Sequence, residues 1–424
     1  MSSSAGTQKR RLLFITQWFP PEPVQVPLWI ASALRERGWV VEVLTGHPNY
    51  PNGKVHEGFD PRRYVRDEEA GFRLRRTPLY PSHDQSAIRR MANYISWALS
   101  ASVMAPIRAR QADVTLVYSS PATAAAPAML ARLLTGRRYV LLVQDIWPDS
   151  VTATGLMRSG FAVRVVERLL DAFVKSAYRG ADFVLTIAPG AKDLLVQRGV
   201  PEEKVRLAFN WADEDVMHPR PPHSRLREQL GLESGDFLLM YAGTTGPAQG
   251  LETAIDALQL TRCRAHLAIV GDGISKAALT EYAHDSFVPD RVHFFPPIPV
   301  EEIAELMAGA DAQLVSLTDH PLFEITLPSK VQGILASGSI CIASAPGDAA
   351  KIVQAAGGQS VRPDDPHDLA SAIDSVAALN SDGRAKLRDA ARRYYQDLLS
   401  EEVGAAALSS TLDSAANNRK GYSA

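Results

Sequence analysis

The chain has 424 residues, too many for one ordinary core, and its length points to two domains. Apolar residues make up 46% and charged residues 22%, as in a globular protein, and a net charge of −2 gives no reason to expect nucleic-acid binding. Cys263 and Cys341 lie far apart in strand-like apolar runs, which argues against a disulfide framework or a metal site and fits a reducing cytoplasm.

The N-terminal MSSSAGTQKRR passes straight into LLFIT without the apolar core of a signal peptide. No uninterrupted apolar run of about 18 residues is present, so no membrane-spanning helix is expected. Residues 1–10 and 417–424 are expected to be disordered. Between them the chain alternates strand and helix. Strands are expected at Leu12 to Thr16, Val40 to Leu44, Val114 to Tyr118, Tyr139 to Val143 and Phe183 to Ile187. Helices fall between them, the first from Leu28 to Arg37 and closed by Gly38. Pro219, Pro221 and Pro222 then mark a linker, taken as 213–228. A second series follows, with strands at Phe237 to Tyr241, Ala265 to Val270, Val292 to Phe295, Ala312 to Leu317 and Ile340 to Ser344. This grammar predicts two doubly wound parallel sheets, over 11–212 and 229–384, with a helical segment over 385–416.

Parallel sheets bind ligands at the carboxyl ends of their strands, and the motifs lie there. In the second half, Gly243-Thr-Thr-Gly-Pro-Ala-Gln-Gly250 follows a strand and opens a helix. Its glycines permit close backbone approach, a helix N-terminus suits a phosphate, and Thr244, Thr245 and Gln249 offer hydrogen bonds. The bland alternative is a simple turn. Gly271-Asp272-Gly273 follows the next strand, and Asp272 either contacts a ligand or caps the helix near Ser275. Thr326-Leu327-Pro328-Ser329-Lys330 places a lysine at a helix N-terminus, where a cation is unfavourable unless an anion is bound. The three elements together suit a diphosphate.

In the first half, Phe19-Pro-Pro-Glu22-Pro-Val24, Gly46-His47-Pro-Asn-Tyr50-Pro and Gln144-Asp145-Ile-Trp-Pro-Asp149 follow strands. Asp145 is read as a sugar contact or general base, or else a helix cap. His47 is an acid–base group or a buried loop histidine. Eight arginines, at 62, 63, 66, 73, 75, 76, 89 and 90, precede an apolar, partly amphipathic stretch from Ile88 to Ile107. That pattern fits a helix lying on an anionic membrane, or a core helix with solvated flanks.

The set FPPEP, GHPNYP, QDIWPDS, FNWAD, YAGTTG-PAQGLE, VGDG and LPSK, in this order and spacing over residues 11–400, resembles the family-4 retaining glycosyltransferases. The branch it resembles makes bacterial exopolysaccharide, capsule and O-antigen and includes colanic acid fucosyltransferase-like and N-acetylfucosaminyltransferase-like proteins. The resemblance implies an α/β GT-B fold: two Rossmann-like domains facing a central cleft, with a C-terminal helix crossing back to the N-terminal domain. It implies no cofactor and no metal, a UDP-, GDP- or dTDP-sugar donor on the C-terminal domain, and a glycan or lipid-linked acceptor on the N-terminal domain. It also implies a cytoplasmic enzyme associated with the inner face of the plasma membrane. Gly243 to Gly250 would meet the donor phosphates, Gly271 to Gly273 the base, and Ser329 and Lys330 the diphosphate. Pro21 to Gln25 would face the donor, Glu22, Val24, Gln25, His47 and Tyr50 would lie on first-domain loops facing donor or acceptor, and Asp145 would lie near the transferred sugar.

Five positions depart from the family pattern. Gly333 stands where a ribose-holding Glu is common, and its upstream partner Glu falls at Ile325, with Glu324 one residue earlier. Thr244 and Gln249 replace the basic residues of many relatives, and Gln25 replaces a usual glycine. The alternatives are a transferase decorating a small natural product, a nucleotide-sugar 2-epimerase, and a non-catalytic partner subunit of the same fold.

Overall fold

A computed structural model describes residues 9–82, 87–149, 161–221 and 225–417. Residues 1–8 and 418–424, expected to be disordered, and residues 222–224 of the expected linker lie outside it. The chain divides into two compact units, Met1–Ala208 with Ala405–Ala424, and Phe209–Gly404.

The first unit is built on eight strands: β1 (Arg11–Ile15), β2 (Val40–Gly46), β3 (Val65–Glu69), β4 (Phe72–Thr77), β5 (Val114–Ser119), β6 (Tyr139–Val143), β7 (Phe183–Thr186) and β8 (Val205–Leu207). Their order is β3-β4-β2-β1-β5-β6-β7-β8, parallel except for the β3–β4 pair. Every residue of β5 and β6 is buried, which is why these central strands read as unbroken apolar runs. The order reverses between β1 and β5, so the loops after these two strands flank a natural ligand crevice. The C-terminal helix Glu401–Asn417 reaches this unit. Its Leu408, Leu412 and Ala415 are buried, Trp39 Nε1 donates to Ser409 Oγ at 3.0 Å, and Arg10 pairs with Asp413.

The β3–β4 hairpin was not expected, because its residues, VRDEE and FRLRRT, carry charges in place of an apolar run. Ala70 and Gly71 both take positive φ, the backbone of a tight two-residue hairpin turn. Tertiary ion pairs hold the charges. Arg76 is fully buried, with Nε 2.6 Å from Asp67, and Arg75 Nε lies 2.8 Å from Glu42, which Arg108 also engages at 2.7 Å. Two of the eight arginines of the basic stretch therefore belong to the fold and not to its surface charge.

The second unit holds a six-stranded parallel sheet of β9 (Phe237–Ala242), β10 (Ala265–Val270), β11 (Val292–Phe295), β12 (Ala312–Ser316), β13 (Cys341–Ser344) and β14 (Gln359–Val361). The order is β11-β10-β9-β12-β13-β14, reversing between β9 and β12. β14 is short and half-buried, so it gave no apolar run to read. FNWAD lies within this unit as packing. A Cβ on Gly404 would come within 2.6 Å of the Trp211 ring, and Glu214 accepts from Tyr395 Oη and Glu401 N, both at 2.8 Å.

Candidate active site

In the second unit the loop after β9 lies directly against the loop after β10. Gly243 N donates to Val270 O and Thr245 N to Asp272 O, both at 2.9 Å. A Cβ on Gly271 would stand 2.0 Å from Gly243 O, and one on Gly273 the same distance from Thr245 O. Gly271 also takes a φ of +141°. These glycines are therefore required by loop-on-loop packing, whatever they also allow a ligand to do.

Helix Ser329–Ala336 points its N-terminus at the same place. Pro328 is its extended N-cap, Ser329 is exposed, and Leu327 is buried as an anchor. Lys330 Nζ lies 3.7 Å from the centroid of the Tyr241 ring, and a Cβ on Gly243 would come within 3.0 Å of it. The Tyr241 hydroxyl donates to Thr244 O at 2.6 Å, which fixes the ring under the ammonium. Burial pulls the Lys330 pKa down to about 7. An anion delivered here would meet a cation and a helix N-terminus, beside a turn whose Gly243, Thr245 and Gly246 N–H groups already donate within the loops.

The other named residues serve this edge in different ways. Thr244 is exposed above the turn. Thr245 is fully buried, with no partner for Oγ1 among the described residues. Gln249 Oε1 accepts from Gly246 N at 3.0 Å, and Ser316 Oγ donates to Gln249 O at 2.6 Å, so this glutamine braces its own loop. A Cβ on Gly250 would come within 2.9 Å of Thr318 Cγ2 and 3.1 Å of Asp364 Oδ1, so the β12 and β14 ends close that flank. Of the two alternatives for Asp272, the cap on the helix near Ser275 is not made. Asp272 Oδ1 accepts from Gly273 N at 2.9 Å, because the turn leads its carboxylate back on its own backbone. Glu324 is exposed and its backbone packs on Gly347, while Thr326 Oγ1 donates to Leu322 O at 2.7 Å. Gly333 is buried inside the helix with the Met217 thioether 3.8 Å from its would-be Cβ. Sequence reading missed the Tyr241 ring, whose only signal was its place at the strand end before the glycines. It also missed Lys276, whose Nζ donates to Gly271 O at 2.6 Å and Phe295 O at 3.0 Å.

In the first unit, Glu22 and His47 are interior groups. Glu22 Oε1 accepts from Asn49 N at 2.8 Å and Tyr50 N at 2.9 Å, and Oε2 from Phe19 N at 3.3 Å. Burial raises its pKa to about 7 against the pull of those N–H groups and of Arg76. Glu22 thus ties the loop after β1 to the loop after β2. His47 is fully buried with Nε2 2.8 Å from Arg63 O, and burial lowers its pKa. Neither side chain is open to a substrate. Val24 is the N-cap of helix Gln25–Glu36, so Gln25 opens that helix, three residues earlier than expected. Pro27 in the first turn permits the earlier start.

Asp145 stands apart from these. Its carboxylate is exposed at the end of β6 and accepts from Ser120 Oγ at 2.8 Å. Surrounding protein still strips enough water to raise its pKa above the ordinary carboxylate value, and the Ser120 hydrogen bond opposes that rise. Trp18, Tyr50, Tyr94 and Trp147 form a chain of rings with centroid spacings of 5.9, 6.1 and 6.3 Å for Trp18–Tyr50, Trp18–Tyr94 and Tyr94–Trp147. Trp18 and Tyr94 were not singled out in the sequence, because rings from β1's loop and helix Ala87–Ala109 meet only in the fold.

Residues 23–211 match the glycosyl transferase 4-like domain, and residues 223–394 match the glycosyl transferases group 1 domain. The putative colanic acid biosynthesis glycosyl transferase WcaI of Escherichia coli K12 is 31% identical over 75% of this chain and 77% of its own length. The chain belongs to the group 1 glycosyltransferases. The probable glycosyltransferase WbjE of Pseudomonas aeruginosa is 26% identical over 72% of this chain and 77% of its own. The glycosyltransferase also shares its GT-B fold with solved structures. Anabaena HepE in complex with UDP superposes with a TM-score of 0.70 at 17% identity, covering 95% of this chain and all of that one. WaaG, described as involved in lipopolysaccharide biosynthesis, gives 0.61 at 18% identity over 97% of this chain and 100% of its own. Among the described residues of the glycosyltransferase, no group of three or more His, Cys, Asp or Glu side chains could hold a metal ion, and no helix is long and apolar enough to cross a membrane.

Proposed function

We propose that this glycosyltransferase retains anomeric configuration, works without a metal, and moves a sugar from a nucleoside diphosphate donor in cell-surface polysaccharide synthesis. The observation that carries the reading is Lys330, its ammonium held over Tyr241 beside Gly243 at a helix N-terminus. Departure of a nucleoside diphosphate builds negative charge on the β-phosphate, and this edge offers a cation and a helix dipole to receive it. Thr244 and Ser329 are open to the phosphates, while Gln249, Asp272 and Gly273 shape the loops that hold them.

In the first unit, Asp145 is the carboxylate presented to the transferred sugar and the acceptor. Glu22 and His47 act as positioning groups for the loops that carry Tyr50. The similarity to WcaI, whose name gives colanic acid biosynthesis, supports a polysaccharide acceptor. Peripheral membrane contact is supported by helix Ala87–Ala109. It buries Trp97, Ala101 and Ala105 and leaves Leu99 and Val103 66% and 69% exposed. Arg62, Arg63, Arg66 and Arg73 are exposed on the neighbouring hairpin region.

Calorimetry with UDP, GDP and dTDP tests the donor site. HepE binds UDP and UDP-glucose in its structures, so UDP is the first probe. The expected result is saturable binding of one nucleotide that weakens in Lys330→Met. Absence of binding by all three at millimolar concentration would overturn the reading. Incubation with donor alone separates transfer from 2-epimerisation, since an epimerase would convert the donor without acceptor.

A further inference from the structure

The second unit has a cavity of 290 Å³ at the opposite edge of its sheet from the Gly-rich loops. The loops lie where strands end, whereas this cavity is lined by Ala310 and Ile340, immediately before β12 and β13 begin. Its polar wall consists of His218, Arg220, Ser337, Ser339, Arg388 and Arg392. Helix Ser381–Tyr394 supplies two of the arginines one turn apart and contributes Ser381 from its own N-terminus. Gly338, just past helix Ser329–Ala336, packs beside helix Ser381–Tyr394. It takes a φ of +62°, and a Cβ there would sit 3.6 Å from Arg388 O and 3.7 Å from Arg392 Cβ.

The charges of this wall are not balanced by the protein. Among the described residues no carboxylate lies within ion-pair distance of Arg220, Arg388 or Arg392. Asp389 is the one acid in the lining and is exposed. The nearby Asp311 is committed elsewhere, Oδ1 to Arg384 at 2.5 Å and Oδ2 to Arg227 at 2.8 Å. Arg392 donates to Ala336 O at 2.5 Å and Arg220 to Val216 O at 3.3 Å, which places both guanidinium groups against the backbone of the wall. The Arg220 Nε is shielded from water and has no partner among the described residues. Three arginines thus line one cavity with no carboxylate among the described residues paired to them, which leaves their charge open to an anion.

We propose that this cavity is a second ligand site of the protein, taking the phosphate group of a small phosphate ester. Guanidinium forks match the oxygens of a phosphate, and hydroxyls of Ser337 and Ser339 can donate beside them. The volume lies just under the range for small-molecule sites, about 300–1,000 Å³, which suits a phosphorylated monosaccharide or free phosphate rather than a whole nucleotide sugar. The site is independent of the donor reading, because it shares no residue with the loops after β9 and β10.

Calorimetry with inorganic phosphate and, separately, a hexose 6-phosphate tests it on the full chain. Saturable binding is expected, with a component that is weakened about tenfold or more in Arg388→Gln, partly restored in Arg388→Lys, and persists in Lys330→Gln. Tighter binding of the hexose phosphate than of phosphate would identify an ester as the occupant, and equal binding would identify the free ion. An unaltered melting temperature of Arg388→Gln without ligand shows that the fold is kept. No binding of either probe at millimolar concentration would overturn the proposal. So would binding that survives in Arg388→Gln but is lost in Lys330→Gln, since the anion would then sit at the strand-end loops.

Discussion

The Lys330 ammonium lies 3.7 Å from the centroid of the Tyr241 ring, and burial holds its pKa near 7. The free site is therefore poised between a neutral and a charged lysine at neutral pH. A bound diphosphate favours the charged form. Donor affinity should fall as pH rises above about 7, and binding there should take up a proton, read as a dependence of calorimetric heat on buffer ionisation. Lys330→Met should weaken nucleotide binding about 10- to 100-fold, the worth of a charge-assisted hydrogen bond. It should also flatten the stability profile. Between pH 7 and 10.5 the unfolded lysine binds more protons than the native one, so wild-type stability rises with pH in that window.

Glu22 behaves oppositely. Its pKa is raised from 4.5 to about 7, so the native state binds more protons than the unfolded state between those values. Stability from this group is fully present below pH 4.5 and is lost as pH rises through 7. Glu22→Gln should remove that dependence. Glu22→Ala should destabilise by about 1–3 kcal/mol, since it leaves the N–H groups of Asn49, Tyr50 and Phe19 without their acceptor. Urea unfolding at pH 5 and pH 8 checks both.

Three glycines should respond in opposite senses. Gly271→Ala and Gly273→Ala should each cost about 1–3 kcal/mol or more and abolish nucleotide binding, because the new Cβ meets a carbonyl oxygen at 2.0 Å. Gly333→Ala should be tolerated and should stabilise by about 0.5–1 kcal/mol, because its neighbours stand 3.8 Å away and alanine favours a helix interior. Thermal melting with and without nucleotide separates the two outcomes.

Asp145→Asn keeps an acceptor for Ser120 and removes the charge. Turnover should fall about 10²- to 10⁴-fold, as for loss of a general base, with donor affinity nearly unchanged. The acid limb of the wild-type rate profile should lie higher than for an ordinary aspartate, because surrounding protein desolvates Asp145 and raises its pKa.

The exposed apolar stripe of helix Ala87–Ala109 makes a separate prediction. Leu99→Glu with Val103→Glu should reduce sedimentation with anionic vesicles at low salt and leave the melting temperature within a few degrees, since both side chains are exposed. Equal sedimentation of wild type and variant would remove the membrane reading.

The sequence by itself determined the two parallel sheets and most of their strands. Runs such as VTLVY and AHLAIV must be buried on both faces, and glycine-bearing loops must follow strands whose ends meet ligands. It also marked Lys330, because a lysine at a helix start is conspicuous. It did not yield β3 and β4, whose arginines are neutralised by Glu42 and Asp67 from elsewhere in the chain. Nor did it distinguish the exposed Asp145 from the buried Glu22 and His47, all three in loops of similar composition.

Only the tertiary structure decided those matters. Burial, ion pairing and ring contact depend on residues tens or hundreds of positions apart. The Tyr241 ring beneath Lys330, the Trp18–Tyr94 contact and the guanidinium wall of Arg220, Arg388 and Arg392 exist only once distant elements pack. Local propensity and periodicity carry the information for strands and helices. The electrostatic state of a side chain is set by whatever the fold brings against it, and that is not written at the side chain's own position in the sequence.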